Sequence, residues 1–94
     1  MADLTLFEKT KLAIGAKNTV KDALITDWIA GAKADLAMKG LDQLAIDETD
    51  QKIVEAIQLY VSKKYYGGTD VGDRFAESYE SAAIELVTSG KYRV

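Results

Sequence analysis

Four stretches of helical hydrophobic periodicity, separated by glycines and uninterrupted by any proline, confine this chain to an all-α fold. The first covers residues 5–14. Its opening, Thr5-Leu6-Phe7-Glu8, matches a capping box, in which hydroxyl and carboxylate satisfy each other's orphan backbone N–H groups. Gly15 supplies a left-handed stop, and a polar loop follows through Asn18 and Thr19. The second stretch covers residues 20–39 and ends at Gly40. The third covers 50–66, with Thr49 or Asp47 as cap and Gly67-Gly68 as stop. The fourth covers 73–89 and stops at Gly90, leaving a short flexible tail at 91–94. No segment sustains a period of two, so no significant sheet is expected. The prediction is a single domain over residues 1–94, a small bundle of about four helices with one long central helix. Residues 41–48 read either as a short helical turn or as an irregular connection.

The second stretch is the longest, about 30 Å at 1.5 Å per residue. Ile25, Ile29, Ala32 and Leu36 form one apolar stripe, and Leu24, Trp28 and Gly31 a second. Ala23, Ala30, Ala34 and Ala37 add a face of small side chains, leaving only Asp22, Thr26 and Lys33 consistently polar. A helix apolar nearly all round is buried all round. A 94-residue domain has little material to surround it. Either this helix is the core of a compact monomer, or part of it meets another subunit, with Trp28, Ile29 and Leu36 as candidate contacts. In the third helix, Ile53, Val54, Ile57, Tyr60, Val61 and Tyr65 form the inward face. Leu59 and Tyr66, seven apart, fall on the polar side with Gln51, Glu55 and Ser62, a second interface signal. Phe75, Ala76, Tyr79, Ala82, Ala83 and Leu86 form the inward face of the fourth. The tail Lys91-Tyr92-Arg93-Val94 completes the candidate contacts.

Composition removes most chemistry. The chain is 48% hydrophobic and 29% charged, which suits a globular domain and not a disordered one. It has no cysteine and no histidine, so thiolate metal sites, disulfides and the commonest general base are missing. No apolar run approaches the roughly 18 residues that span a bilayer, and Met1-Ala2-Asp3 does not open a signal peptide. A reducing, intracellular setting without membrane contact is the expectation. The net charge of −3 argues against general nucleic-acid binding. Charge is nonetheless polarised. Lys9, Lys11, Lys17 and Lys21 lie near the N-terminus, while Asp70, Asp73, Glu77, Glu80 and Glu85 face only Arg74 in the last third. Such polarity can orient subunits head to tail, or simply mark two solvated faces.

Specific motifs fail on specific requirements. Gly67-Gly68-Thr69-Asp70-Val71-Gly72-Asp73 lacks the Gly-Lys-Ser/Thr ending of a phosphate loop and puts Asp73 where phosphate would sit. The acids Asp47, Glu48 and Asp50 lack calcium-loop spacing, since Lys52 and Gln58 occupy the sixth and twelfth positions. Helix capping accounts for them. No serine has a base in motif position, and none sits in the Asp-Ser-Leu context of a carrier protein. A helix-turn-helix would need a basic recognition helix, whereas the fourth helix is acidic. Lys63 and Lys64 beside Tyr65 and Tyr66 are the best nucleic-acid candidates, but lysines favour a helix C-terminus anyway. No enzymatic activity, cofactor or metal is expected.

The order of elements resembles the small head-tail connector (adaptor) proteins of long-tailed phages. Their opening helix ends in Lys-x-x-Leu, here Lys9 to Leu12 or Lys11 to Ile14. Their long helix of the form Asp-x-x-Ile-x-x-x-Ile-x-x-Ala is matched by Asp22, Ile25, Ile29 and Ala32. Ala56-Ile57-Gln58-Leu59-Tyr60-Val61 resembles the run in their next helix, and Phe75, Tyr79 and Ala83 follow in the last. The segment 40–46 departs from them in having no proline. The resemblance implies a structural subunit of the virion neck, assembled in the host cytoplasm. Its partners would be further copies in a ring, dodecameric in the virion, the portal protein above, and a tail-side neck or stopper protein below. DNA would pass through the channel without sequence-specific binding. The alternative from the residues alone is a small acidic helical regulatory module, monomeric or dimeric.

Overall fold

The computed structural model describes residues 5–16, 19–41 and 50–88. Four helices occupy them: α1 (Leu6–Ile14), α2 (Asp22–Met38), α3 (Gln51–Tyr65) and α4 (Asp70–Thr88). The chain is therefore a small all-α bundle. Lys17, the connection after Leu41 and the tail residues Lys91, Tyr92, Arg93 and Val94 lie outside the described residues.

α1 begins as its first four residues dictate. Thr5 Oγ accepts from the Glu8 backbone N–H at 3.2 Å, and the Thr5 N–H donates to Glu8 Oε1 at 3.1 Å. Gly15 closes the helix at φ +77°, left-handed, where any side chain would be strained. The hydrogen bonds from the Thr5 backbone and hydroxyl hold the Glu8 carboxyl below the usual glutamate range. That sets the sign of its pH dependence. The cap contributes fully above the ordinary value of 4.5, and its contribution is lost as pH falls through the lower folded value. Protection of the α1 amides against hydrogen exchange, relative to their intrinsic rates, should fall in acid ahead of that of α3. Glu8→Gln should flatten that acid dependence; an unchanged acid profile would show that another group causes it.

The expected long central helix is corrected in two respects. α4, with 19 residues, is longer than α2, with 17. The centre belongs to α3, which packs against α4, α2 and α1 in decreasing extent. Its buried residues, Ile53, Val54, Ala56, Ile57, Val61 and Ser62, sweep round most of its circumference. Ser62, read as polar-side, is thus inside. Asp50 itself caps α3, accepting from the Lys52 and Ile53 N–H groups at 2.9 and 3.4 Å. α2 buries only the stripe Ile25, Ile29, Ala32 and Leu36.

α4 begins three residues before its expected start, because the glycine turn contains its own cap. Thr69 Oγ donates to the Tyr66 carbonyl at 2.6 Å and accepts from the Gly72 N–H at 3.1 Å. The same turn leaves Gly72 pressed against the Tyr66 carbonyl, with no room for a Cβ. Gly31, at mid-α2, performs a similar service for packing. A Cβ there would stand 3.2 Å from the Tyr60 hydroxyl oxygen, so glycine lets Tyr60 of α3 lie close along α2.

Candidate subunit interface

The outward face of α2 is the most unusual surface of the described residues. Ala23, Leu24, Asp27, Ala30, Ala34 and Met38 are all exposed, Met38 at 86% and Leu24 at 47%. Asp27 is the single charge among them. Trp28 is half-buried and packs on the edge of the core, so its indole bridges the interior and this outer face. Soluble surfaces tolerate scattered apolar side chains but seldom a whole helix face of them. Alanines there would let a second helix approach closely.

The other candidates divide by where the backbone places them. Ile29 and Leu36 belong to the chain's own core, at 8% and 0% exposure, and are corrected from contacts to core residues. The stripe containing them is the one α3 covers, so the outward surface comes from the neighbouring stripes. Tyr66 is likewise engaged within the chain. Its hydroxyl donates to the Ile14 carbonyl at 2.8 Å and its ring stacks on Phe75 at 5.8 Å. Tyr66 shares a helical stripe with Leu59 only if α3 continues to residue 66, and α3 ends at Tyr65. Tyr66 is instead the C-cap, at φ −99° and ψ 18°, which turns the ring inward. Leu59 remains half-buried, in the floor of a cleft of about 490 Å³ between α3 and α4.

The charged groups are more committed than their sequence positions suggested. Lys11 Nζ lies 2.7 Å from Asp22 Oδ1, joining the end of α1 to the start of α2. Lys21 sits 5.2 Å over the Tyr65 ring. Lys63 Nζ lies 4.6 and 4.8 Å from the ring centroids of Tyr60 and Tyr79, and Lys64 lies 5.6 Å over Tyr60. The two lysines considered for nucleic acid thus lie against aromatic faces. On α4, Asp70, Asp73 and Glu77 are exposed, and they follow one stripe with Glu80, which approaches Lys39 at 3.6 Å.

Tyr79, expected on the inward face of α4, also makes a polar tie inside the bundle. It is fully buried, its hydroxyl donates to Asp35 Oδ2 at 2.6 Å, and its ring meets Tyr60 edge-on at 5.3 Å. Lys39 reaches the same carboxylate oxygen at 3.6 Å. α2 and α4 flank α3, and this hydroxyl–carboxylate bond ties them together. Burial, the hydrogen bond to Asp35 and the Asp35 charge all push the phenol well above its usual range.

Among the described residues no group of three or more acidic, histidine or cysteine side chains is placed to hold a metal ion, and no helix is long and apolar enough to cross a membrane. Comparison with protein families, with curated proteins and with solved structures finds no match to this chain.

Proposed function

We propose that this chain is a structural subunit of a phage neck, which associates with copies of itself into a ring between portal and tail, extends the DNA channel and offers a docking platform. The observation that carries the reading is the outward surface of α2, where five of the seven exposed side chains are apolar or methyl-sized, with only Thr26 and Asp27 polar. Such a face is costly in water and useful against a neighbour. The resemblance to connector proteins, set by Asp22, Ile25, Ile29 and Ala32 and by the run through Leu59, gives that association its biological setting.

Native mass spectrometry over a concentration series, with negative-stain images of the heaviest species, tests the reading. A closed ring of about a dozen subunits is the expected outcome. Ala30→Glu and Ala34→Glu should abolish assembly while leaving helicity and melting temperature nearly unchanged, because both positions are exposed. A strict dimer that survives both substitutions would favour the regulatory alternative. Loss of folding in either variant would place the α2 face inside the chain and remove the basis of the proposal.

A further inference from the structure

A cleft lies between α3 and α4. Leu59, Ala82 and Leu86 form an apolar floor, Glu55 and Glu85 stand on the rim, and Lys52 marks one end. Its volume of about 490 Å³ falls in the range of sites that take a few side chains. We propose that this cleft receives residues 91–94 of a second copy of the chain, an inference that rests on the reading that copies associate.

Chemistry selects that occupant. Lys91-Tyr92-Arg93-Val94 alternates cation with apolar residue. In an extended segment, alternation sends Tyr92 and Val94 to one side and the two cations to the other. The apolar pair matches the floor, and the long cationic stems reach back to the rim carboxylates.

Electrostatics favours a neighbour's segment over the chain's own. α3 and α4 run antiparallel along the cleft, so Lys52 lies at the end where α4 finishes, beside Thr88. A segment folding straight back through Ser89 and Gly90 would set Lys91 next to Lys52, like charge on like. A segment entering from the Leu59 end instead carries Arg93 between Glu55 and Glu85 and leaves Val94 beside Lys52. Donor segment and acceptor cleft are different surfaces of one chain. Their contact can therefore repeat from subunit to subunit, as a ring requires, when it does not close as a reciprocal exchange between two copies.

The absence of cysteine gives a clean test in the full-length chain. Lys52→Cys and Val94→Cys are made singly and mixed under mild oxidation. The expected product is a disulfide-linked dimer, because a disulfide forms only where the Cα atoms come within about 7 Å. The double variant should give covalent multimers. Adding Glu85→Lys to the Lys52→Cys chain should cut the yield roughly fivefold, the effect of about 1 kcal/mol from one exposed ion pair. An intramolecular loop in the double variant with no dimer in the mixture would overturn docking between copies. Assemblies seen by native mass spectrometry with no disulfide at all would overturn the cleft alone and leave self-association standing. Monomer at every concentration without disulfide would remove both.

Discussion

Replacing Gly72 with alanine should lower the melting temperature by roughly 10–20 °C, the opposite of what helix propensity predicts. In an ordinary exposed helix position the same change adds about 1 kcal/mol of stability. Gly72 is buried in the first turn of α4, and a Cβ there would meet the Tyr66 carbonyl carbon at 2.8 Å and Gly67 Cα at 3.3 Å. These are backbone atoms, so no side-chain rotation relieves the clash. The turn itself must open. Opening it disturbs the Thr69 cap, whose two hydrogen bonds run to Tyr66 and Gly72. It also shifts Tyr66, which holds Ile14 and stacks on Phe75. Overpacking of this kind costs about 2–3 kcal/mol. Ser78→Ala, on the exposed side of α4, is the control and should leave melting within a few degrees. Calorimetry of both variants decides the matter; a Gly72→Ala chain that melts at or above the parent temperature would show that the turn is looser than its geometry implies.

That glycine illustrates which parts of the fold the amino-acid order discloses. Periodicity and capping are local, and they were legible: Thr5 and Glu8 form the capping box, Gly15 ends α1, and Ile25, Ile29, Ala32 and Leu36 are the buried stripe of α2. The inward face of α4, from Tyr79 through Ala83 to Leu86, was legible for the same reason. What escaped was relational. The sequence marked α2 as the most apolar helix, but centrality depends on how many neighbours a helix touches, and α3 has three. Ser62 is inside because α3 is enclosed on more than one side, which no single-helix wheel reveals. Tyr66 escaped because it lies one residue past the last helical turn, where the wheel no longer applies. Gly72 falls before the expected start of the fourth helix, and its packing role depends on a carbonyl six residues earlier.

The candidate interface divides in the same way. Excess apolar surface on α2 was legible because it is a count, and Ala23, Ala30 and Ala34 do lie outward. The particular contacts were less so: of Trp28, Ile29 and Leu36, only Trp28 lies where a neighbour would touch it. The charge polarity was legible as composition but overstated as a free surface. Lys11 and Lys21 are engaged by Asp22 and Tyr65, whereas Asp70, Asp73 and Glu77 remain exposed on α4. Any association between copies is therefore better drawn through apolar faces, with α4 supplying the dominant surface charge.

Tyr79, the largest fully buried side chain among the described residues, should be highly sensitive to substitution. Tyr79→Ala removes a fully buried aromatic ring and is expected to cost about 3–5 kcal/mol, a large share of the 5–15 kcal/mol typical of a whole domain. Tyr79→Phe isolates the hydroxyl. It keeps the ring against Tyr60 and Lys63 but deletes the 2.6 Å bond to Asp35. The cost should be about 1–1.5 kcal/mol, at the low end for a charged acceptor, because Asp35 is partly exposed and still faces Lys39. The phenol carries a further signature in pH. Its folded pKa is raised by burial, by the bond to Asp35 and by the Asp35 charge. The neutral phenol is thus favoured in the native chain. Its contribution is complete below the ordinary value of 10.0 and is lost as pH rises beyond it, since the unfolded phenol ionises first. Above that value stability should fall by up to about 1.4 kcal/mol per pH unit from this group. Denaturant titrations at alkaline pH, run beside tyrosinate absorbance, should show Tyr79 ionising only as the helices melt. Tyr79→Phe should lose that late step together with its share of the alkaline slope. If Tyr79→Phe instead reproduces the parent's alkaline profile, the hydroxyl is reached by solvent and does not tie α2 to α4.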